Sequence, residues 1–318
     1  MFARIRKLRE AGVIGINMRN RGYVMARNPR RLYSLVDDKV QTKRLAIAAG
    51  IAVPELFGLV SSVHAARDFE QCVEGQQDFV IKPAHGSGGK GILVVVGRRR
   101  DTYIKGDGTL LSKEEIIHHI ENVLGGVYSL GGHPDQAIIE YRVRFDPVFE
   151  SVSYRGVPDI RVLVYRGVPA MAMLRLPTRR SDGRANLHQG AVGVGVNLAT
   201  GDTTLAVFND KRILEHPDFG TPLAGLTIPH WDDLVVLAAR CQELAPLGYL
   251  GVDMVLDAEL GPLVLELNAR PGLGIQIANG RGLRGIFDAI DRAAPLPAEA
   301  SQRATLARDI ALGNASTA

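Results

Sequence analysis

The sequence has few cysteines, few aromatic residues and no long apolar run. Its two cysteines, Cys72 and Cys241, are too few for a disulfide framework or a cysteine-based zinc site. Aromatic residues make up 6% of the chain, which argues against a surface that stacks nucleic-acid bases. No apolar stretch approaches the roughly 20 residues that a membrane helix needs, and the N-terminus lacks the apolar core of a signal peptide. We therefore expect a cytoplasmic protein without membrane insertion or nucleic-acid binding as its main function.

The composition is otherwise that of a globular protein. A chain of 318 residues with 46% hydrophobic content is long enough for one large or two medium domains with real cores. The net charge is +4, and the basic excess is concentrated in the first 44 residues and in a few later arginines. Anionic small molecules account for this excess as well as nucleic acid does.

Two apolar-alternating runs near the C-terminus, 251–256 and 263–268, indicate a β-hairpin. One face of the hairpin is apolar, and the other carries Asp253, Glu266 and Asn268. If the turn centres on residues 259 and 260, Asp253 lies opposite Glu266, so three oxygen ligands converge. Such ligands suit Mg²⁺, which takes one or two carboxylates and completes its shell with phosphate and water. The alternative is an ordinary hairpin with two solvent-facing acids.

A glycine-rich loop follows an apolar run that ends at Lys82. The loop Gly-Ser-Gly-Gly-Lys-Gly at 86–91 leads into the β-branched run 92–96. A Rossmann loop would lead into a helix, and a Walker loop would place Ser or Thr where Gly91 stands. We therefore predict a flap between two strands, with Lys82 acting as a point charge on phosphates. The loop residues predicted to cover a triphosphate are Gly86, Ser87, Gly88, Gly89, Lys90 and Gly91. A plain flexible turn is the alternative.

The pattern of apolar runs, caps and glycines predicts four segments. They are a basic N-terminal arm (1–37), a first lobe with the glycine flap (38–136), a second lobe with the hairpin (137–292) and a flexible tail (293–318). The predicted helices cover 39–49, 65–74, 113–124 and 233–244. The predicted strands, besides the hairpin, cover 55–61, 78–83, 92–96, 137–143, 159–165 and 170–176.

Two strands of the second lobe carry one arginine each. A turn at 166–168 would bring Arg161 and Arg175 close together. Neighbouring arginines repel unless an anion lies between them, and a guanidinium fork suits phosphate or acyl phosphate. The alternative is that each arginine pairs with an acid such as Asp159. His188 either takes a proton from a reacting group or has a structural hydrogen-bonding role.

The order of these motifs resembles the ATP-grasp superfamily, and within it the ribosomal-S6-modification-type (RimK-like) alpha-L-glutamate-ligase-like proteins. The resemblance rests on Asp38-Lys39, the lysine-ended strand and glycine loop, Ile-Ile-Glu-Tyr, Asp-Ile-Arg, Asn-Leu-His-Gln-Gly, Gly-Val-Asp and Glu-Leu-Asn-Ala-Arg-Pro-Gly, and it spans roughly 38–290. It implies an α/β ATP-grasp fold of two α+β lobes with ATP between them. Only 37 residues precede Asp38, so a full N-terminal domain of the kind usual in such ligases is not expected.

The resemblance also implies roles for individual residues. Lys39, Lys82 and the glycine loop would contact phosphates. Backbone groups of Glu140, Tyr141, Arg142 and Val143 would face adenine, and Arg161, Arg175 and Asn186 would lie near the γ-phosphate. Asp253, Glu266 and Asn268 match the positions that hold Mg²⁺, with two ions expected and Mn²⁺ able to substitute. Arg270 departs from the glutamate-ligase pattern, where a small residue follows Asn-Ala, and would bind a substrate carboxylate or pair with an acid.

The implied activity is an ATP-dependent carboxylate-amine ligase that works through an acyl phosphate. Such an enzyme would add glutamate or another amino acid to a peptide, a protein or a small-molecule carboxylate. The alternatives are a small-molecule kinase on the same fold and a non-catalytic ATP-binding regulatory protein. The sequence leaves open which two substrates react. It also leaves open whether the acceptor is a protein and whether the chain forms a homo-oligomer.

Overall fold

The computed structural model describes residues 2–86 and 88–313, without the side chains of residues 2–5 and 130. The predicted flap residue Ser87 therefore lies outside the described residues. The chain forms two compact units. The smaller unit comprises Asp38–Lys43 and Val53–Arg144, and the larger unit comprises the described parts of Met1–Asp37, Arg44–Ala52 and Phe145–Ala318.

The smaller unit is built on a six-stranded sheet in the order β1-β6-β2-β3-β4-β5, and all of its pairings are antiparallel. Its strands are β1 (Leu56–Val60), β2 (Phe79–Pro83), β3 (Leu93–Arg99), β4 (Thr102–Lys105), β5 (Leu110–Leu111) and β6 (Ala137–Glu140). Its helices are the first part of α5 (Lys39–Ala48), α6 (Val63–Ala66), α7 (Phe69–Cys72) and α8 (Lys113–Leu124). Phe69, Phe79 and Tyr103 contact one another in its core, with ring centroids 5.8–6.5 Å apart.

Local signals in the sequence fix two of these helices. Helix α8 has the predicted bounds, and its N-terminus is closed by a capping box in which Ser112 and Glu115 satisfy each other's backbone amides. Helix α5 begins as predicted after Asp38, whose Oδ1 accepts hydrogen bonds from the amides of Val40 and Gln41. The single helix predicted for 65–74 was wrong, because the structure has the two short helices α6 and α7 there.

The larger unit is built on a seven-stranded antiparallel sheet in the order β11-β10-β9-β8-β7-β12-β13. Its strands are β7 (Asp159–Tyr165), β8 (Val168–Leu176), β9 (Val192–Val196), β10 (Thr203–Phe208), β11 (Lys211–Ile213), β12 (Tyr249–Asp257) and β13 (Gly261–Asn268). Its later helices are α9 (Trp231–Leu244), α10 (Gly274–Asn279), α11 (Arg284–Arg292) and α12 (Ala300–Leu312). The predicted hairpin register is confirmed, since Asp253 pairs with Glu266 between β12 and β13.

The N-terminal segment belongs to the larger unit and is not a separate arm. It contains α1 (Phe2–Glu10), α2 (Ile16–Met18), a π-helical stretch (Arg19–Val24), α3 (Met25–Arg27), a 3₁₀ turn (Arg30–Leu32) and α4 (Ser34–Asp37). Asn28 fixes this segment to the sheet. Its buried amide donates to the carbonyls of Tyr249 and Ala269 at 2.7 and 2.9 Å, and it accepts from the amide of Tyr249 at 2.9 Å.

The prediction of a flexible tail over 293–318 was wrong for most of its length. Residues 300–312 form α12, and its Ala304 and Ala307 are buried. Buried Arg303 donates to the carbonyls of Gly167 and Ala239 at 3.0 and 3.1 Å. The Ala-rich composition that suggested a tail is instead the small-residue face of a packed helix. Residues 314–318 lie outside the described residues.

The predicted boundary between the lobes at 136 and 137 differs from the division in the structure, which falls between Arg144 and Phe145. Strand β6 is also shorter than predicted and ends at Glu140. No helix in the part of the chain that the structure describes is both long and apolar enough to cross a membrane.

Candidate functional site

The larger unit carries a buried network of arginines and aspartates across β7, β8 and β12. Arg161 Nε and Nη2 bind the two carboxylate oxygens of Asp253 at 2.6 and 2.5 Å. Arg175 Nη2 is 2.8 Å from Asp253 Oδ2, and the same guanidinium forms a two-pronged pair with Asp159. The predicted approach of Arg161 and Arg175 therefore occurs, and the anion between them is Asp253. Each arginine thus pairs with an acid, which is the second alternative, and contact with phosphate stays a prediction.

Burial and charge act in opposite directions in this network. Burial alone would raise the pKa of Asp253, but the attraction of Arg161 and Arg175 outweighs it and lowers that pKa to about 2. Burial raises the pKa of Asp159 to about 6, with the charge of Asp253 acting in the same direction and Arg175 opposing it. Burial would lower the pKa of Arg175, but the two aspartates raise it. Asp253 is thus the fixed anion of the network.

Each guanidinium has one nitrogen, Nη1, that the carboxylates of the network do not bind. The pairs with Asp253 and Asp159 use Nε and Nη2 of Arg161 and of Arg175. Within the described residues, the Nη1 group of neither arginine has an acceptor. Both side chains are about 10% exposed. The network can therefore present two further donors to an anion such as phosphate.

The predicted Mg²⁺ ligands lie next to this network. Strand β12 runs between β7 and β13, so Arg161, Asp253 and Glu266 are cross-strand neighbours on one face. Glu266 and Asn268 are half-buried and offer hard oxygens. In the described segments, 2–86 and 88–313, no group of three His, Cys, Asp or Glu side chains is arranged to hold a metal ion.

The fit to Mg²⁺ is good for Glu266 and Asn268 and conditional for Asp253. Mg²⁺ needs only one or two carboxylates from the protein, and an amide oxygen is an acceptable third ligand. Asp253 already accepts three hydrogen bonds from guanidinium groups, so metal binding by Asp253 would require Arg161 or Arg175 to turn toward another anion.

The smaller unit carries a second buried charge cluster, formed by one acid and two lysines. The carboxylate of Glu140 is 2.5 Å from Lys82 Nζ and 2.7 Å from Lys43 Nζ. Burial lowers the pKa of Lys43 and Glu140 opposes that shift. Burial would raise the pKa of Glu140, but both lysines outweigh it and lower it. Lys82 is therefore held at the end of β2, and its ammonium has donors left for phosphate.

The glycine flap begins directly after β2, as predicted. Lys39 Nζ donates to the carbonyl of Gly86 at 2.6 Å, so the structure places this predicted phosphate ligand at the base of the flap. Gly88, Gly89 and Gly91 have positive φ of 65°, 75° and 74°, a conformation that favours glycine. Lys90, between them, is exposed.

Gly91 also lies against an aromatic ring. A Cβ atom on this residue would lie 2.5 Å from the ring of Tyr128. The position therefore needs glycine both for its backbone conformation and for space.

The predicted adenine segment follows β6. The amide of Tyr141 donates to the carbonyl of Glu55 at 2.9 Å, so this backbone donor is already used. Arg142 forms a 2.7 Å ion pair with Asp78, and Val143 is buried. Glu140 contributes its side chain to the lysine cluster described above.

The remaining predicted residues lie on loops of the larger unit. Asn186 Oδ1 accepts from the amide of His188 at 3.0 Å and caps the 3₁₀ turn Leu187–Gln189. Within the described residues, Asn186 makes no hydrogen bond to Arg161 or Arg175. The His188 side chain is exposed, and its two roles stay predictions.

Of the two alternatives for Arg270, an ion pair with an acid does not occur within the described residues, and binding of a substrate carboxylate stays a prediction. Its guanidinium lies over the ring of Tyr33, 5.0 Å from the centroid. Its backbone amide donates to Asn268 Oδ1 at 2.8 Å.

Sequence reasoning missed two contributors in the smaller unit. Lys43 lies one helical turn after Lys39 on α5, and this i, i+4 spacing was a usable signal. His85 Nδ1 is 2.7 Å from Asp135 Oδ1 and its Nε2 is 4.0 Å from Asp38 Oδ2 at the start of α5. Asp135 carried no local signal, because its approach to His85 depends on how β2 and β6 pair.

Comparisons with known proteins point to one family. A family model described as sugar-transfer associated ATP-grasp matches residues 18–292 of the chain. A probable alpha-L-glutamate ligase of Maridesulfovibrio salexigens is 25% identical over 239 residues, which are 74% of this chain and 56% of the relative. One of Aeromonas salmonicida is 24% identical over 262 residues, 82% of this chain and 65% of the relative. The chain thus spans less than two thirds of the length of these relatives.

A solved structure titled as a RimK domain ATP-grasp protein from Sphaerobacter thermophilus shares 17% identity. The alignment covers 82% of this chain and 69% of that chain, with a TM-score of 0.46.

Proposed function

The chain belongs to the sugar-transfer associated ATP-grasp family, and from that premise we propose that it is an ATP-dependent ligase that joins a carboxylate to an amine. The family match confirms the ATP-grasp resemblance and the α/β fold. The proposed reaction adds glutamate or another amino acid to a peptide, a protein or a small-molecule carboxylate. The relatives named as probable alpha-L-glutamate ligases support this choice.

The observation that carries the proposal is the network of Arg161, Arg175 and Asp253. Two guanidinium groups are positioned by buried carboxylates, and each keeps its Nη1 for an anion. Phosphoryl transfer requires little covalent chemistry from the protein and depends on positioned positive charge. The two arginines beside the proposed oxygen ligands Glu266 and Asn268 meet that requirement.

We assign the smaller unit to the nucleotide. Lys82, held by Glu140, contacts phosphates, and the amides of the flap contact phosphate oxygens. Lys39 contacts phosphate at the base of the flap, where its Nζ donates to the carbonyl of Gly86. The segment from Glu140 to Val143 is assigned to adenine, although the Tyr141 amide is engaged by Glu55.

The larger unit is assigned to the reacting groups. Glu266 and Asn268, with Asp253 when an arginine turns to phosphate, would hold Mg²⁺. The Mg²⁺ ion would neutralise phosphate charge. Mn²⁺ would be able to substitute for Mg²⁺. Arg161 and Arg175 stabilise the charge that develops on the phosphoryl group, and Asn186 assists them.

The reaction proceeds in two steps. A carboxylate oxygen of the substrate attacks the γ-phosphorus of ATP and the bond to the β-γ bridging oxygen breaks, which gives an acyl phosphate and ADP. The amine of the second substrate then attacks the acyl carbon, phosphate leaves, and the amine loses one proton. Closure of the glycine flap would protect the acyl phosphate from water.

The test is release of ADP and phosphate by the purified protein with Mg·ATP, scanned against pools of amino acids and acidic peptides with mass spectrometry. A ligase releases both in equal amounts and forms a product one water lighter than the sum of its substrates. A kinase yields a stable phosphorylated product without free phosphate. A non-catalytic ATP-binding protein gains thermal stability with Mg·ATP and turns over nothing. Either of the last two results would refute the proposal.

Two variants test the site. Lys82→Ala and Asp253→Asn should each abolish ADP formation while circular dichroism shows a folded protein. Lys105→Ala is the matched control, because Lys105 is also on a strand of the smaller unit but pairs with Asp107 at the surface. Full activity in either site variant would contradict the assignment.

A further inference from the structure

The N-terminal segment and the residues that follow β13 line an open surface pocket of about 450 Å³ in the larger unit, here called the N-terminal pocket. Its polar lining includes Arg19, Asn28, Arg30, Tyr33 and Arg270, and its volume is in the range of small-molecule sites. No local sequence pattern indicates that residues near position 30 meet residues near position 270.

The charge in the N-terminal pocket is of one sign. Three arginines line it, and no acidic side chain does among the described residues. Within the same part of the chain, Arg19, Arg30 and Arg270 form no ion pair. Like charges around one pocket repel, and a bound anion would relieve that repulsion.

Two of the three arginines of the pocket, Arg19 and Arg270, are held in place. Arg19 Nη1 donates to the carbonyl of Pro271 at 3.1 Å, and its other nitrogens bind Asn20. Arg270 lies over the ring of Tyr33 at 5.0 Å, a cation–π contact that orients the guanidinium. The buried Asn28 ties the floor to the sheet, as described above. Pre-positioned guanidinium groups lose little entropy on binding an anion.

The pocket adjoins the proposed reaction site. The amide of Arg270 donates to Asn268 Oδ1 at 2.8 Å, and Asn268 is one of the proposed Mg²⁺ ligands. Phosphate is already served by the arginine network and, in the smaller unit, by Lys82 and the flap. The anion that remains without a partner in the proposed reaction is a carboxylate.

We propose that the N-terminal pocket binds a non-reacting carboxylate of a substrate through Arg30 and Arg270, with Arg19 adding charge. This inference rests on the proposed ligase function. Three arginines around the reacting carboxylate would weaken it as a nucleophile, so the bound group is a second one. It is either the α-carboxylate of an amino acid that supplies the amine, or the second acid group of a diacid.

The test is isothermal titration of the full chain, without ATP, with L-glutamate, L-alanine, glutarate and inorganic phosphate. We expect at least one carboxylate to bind and to lose affinity about tenfold or more in Arg30→Ala, the size expected for one charge-assisted hydrogen bond. Binding of alanine but not glutarate identifies the amino acid, and the reverse identifies the diacid. Arg30 is exposed, so its replacement should not affect folding.

Matched variants sharpen the test. Arg31→Ala removes an equal charge from an exposed neighbour that does not line the pocket, and should bind as the wild type does. Arg30→Lys keeps the charge but loses the guanidinium fork, so it should recover only part of the affinity. Arg270→Ala should lose as much affinity as Arg30→Ala.

Three results would overturn the proposal. They are no binding of any carboxylate, equal binding by wild type and Arg30→Ala, and binding of phosphate in place of carboxylates with the same dependence on Arg30. Failure of the ligase function would look different. Carboxylate binding that depends on Arg30, without ADP release in any substrate pool, would keep the pocket and refute the ligase. ADP release with unchanged KM values in Arg30→Ala would keep the ligase and refute the pocket.

Discussion

Replacing Glu140 with glutamine should destabilise the smaller unit strongly. The carboxylate of Glu140 is the common partner of Lys82 and Lys43, at 2.5 and 2.7 Å, and all three side chains are buried. Glutamine has the same shape but no charge. The substitution therefore leaves two buried ammonium groups without a counter-ion.

The size of the effect follows from the burial. Removing one partner of a buried ion pair typically costs about 3–5 kcal/mol, because the remaining charge stays desolvated. Lys43→Met leaves the pair of Lys82 and Glu140 intact, so its cost should be smaller, about 1–3 kcal/mol. In the double variant Lys43→Met with Glu140→Gln, only Lys82 remains charged, so the combined cost should be less than the sum of the two single costs.

The assay has to report on the smaller unit itself. The single tryptophan, Trp231, lies in the larger unit, so its fluorescence would not follow this change. Hydrogen exchange with mass spectrometry of peptides from β2 and β6 reports the local free energy of opening. Glu74→Gln, an exposed acid in the same unit, is the control and should change little. A loss of less than 1 kcal/mol in Glu140→Gln would refute the account of this cluster.

Three further perturbations follow from the structure. The depressed pKa of Asp253, about 2 against 3.8, stabilises the fold by about 2 kcal/mol above pH 4. This contribution is lost as the pH falls toward 2, so urea titrations of wild type and Asp253→Asn should converge in acid, and a constant difference would contradict it. Gly91→Ala should lower the melting temperature, because alanine is strained at the φ of +74° that Gly91 adopts and its Cβ would clash with the ring of Tyr128. Adding Tyr128→Ala should restore only part of the loss, whereas no loss at all in the single variant would refute the close contact. Arg303→Met removes donors from two buried carbonyls and should cost about 1–3 kcal/mol by Trp231 fluorescence in urea, whereas a neutral result would mean that α12 is not docked.

Features set by short-range rules were predictable from the sequence. The hairpin register depends only on alternation and turn position, and Asp253 does pair with Glu266. Helix α8 was predicted with its bounds because Ser112 and Glu115 form a local cap. Strand β7 was likewise predicted with its bounds.

Features set by which strands become neighbours were not predictable. The sequence did not show that β7 lies beside β12, which brings Arg161 onto Asp253. For the same reason, the contact of Glu140 with Lys43 of α5 could not be predicted. Nor could the docking of the N-terminal segment, where one buried amide, that of Asn28, makes three hydrogen bonds to distant backbone.

The most direct test of the central claim is an isotope transfer. The carboxylate substrate identified by turnover is labelled with ¹⁸O in the reacting carboxylate, and the phosphate released with Mg·ATP is examined by mass spectrometry. A ligase that works through an acyl phosphate must transfer one ¹⁸O to each phosphate. Unlabelled phosphate, formed while the amide product accumulates or in its absence, would contradict the proposed mechanism.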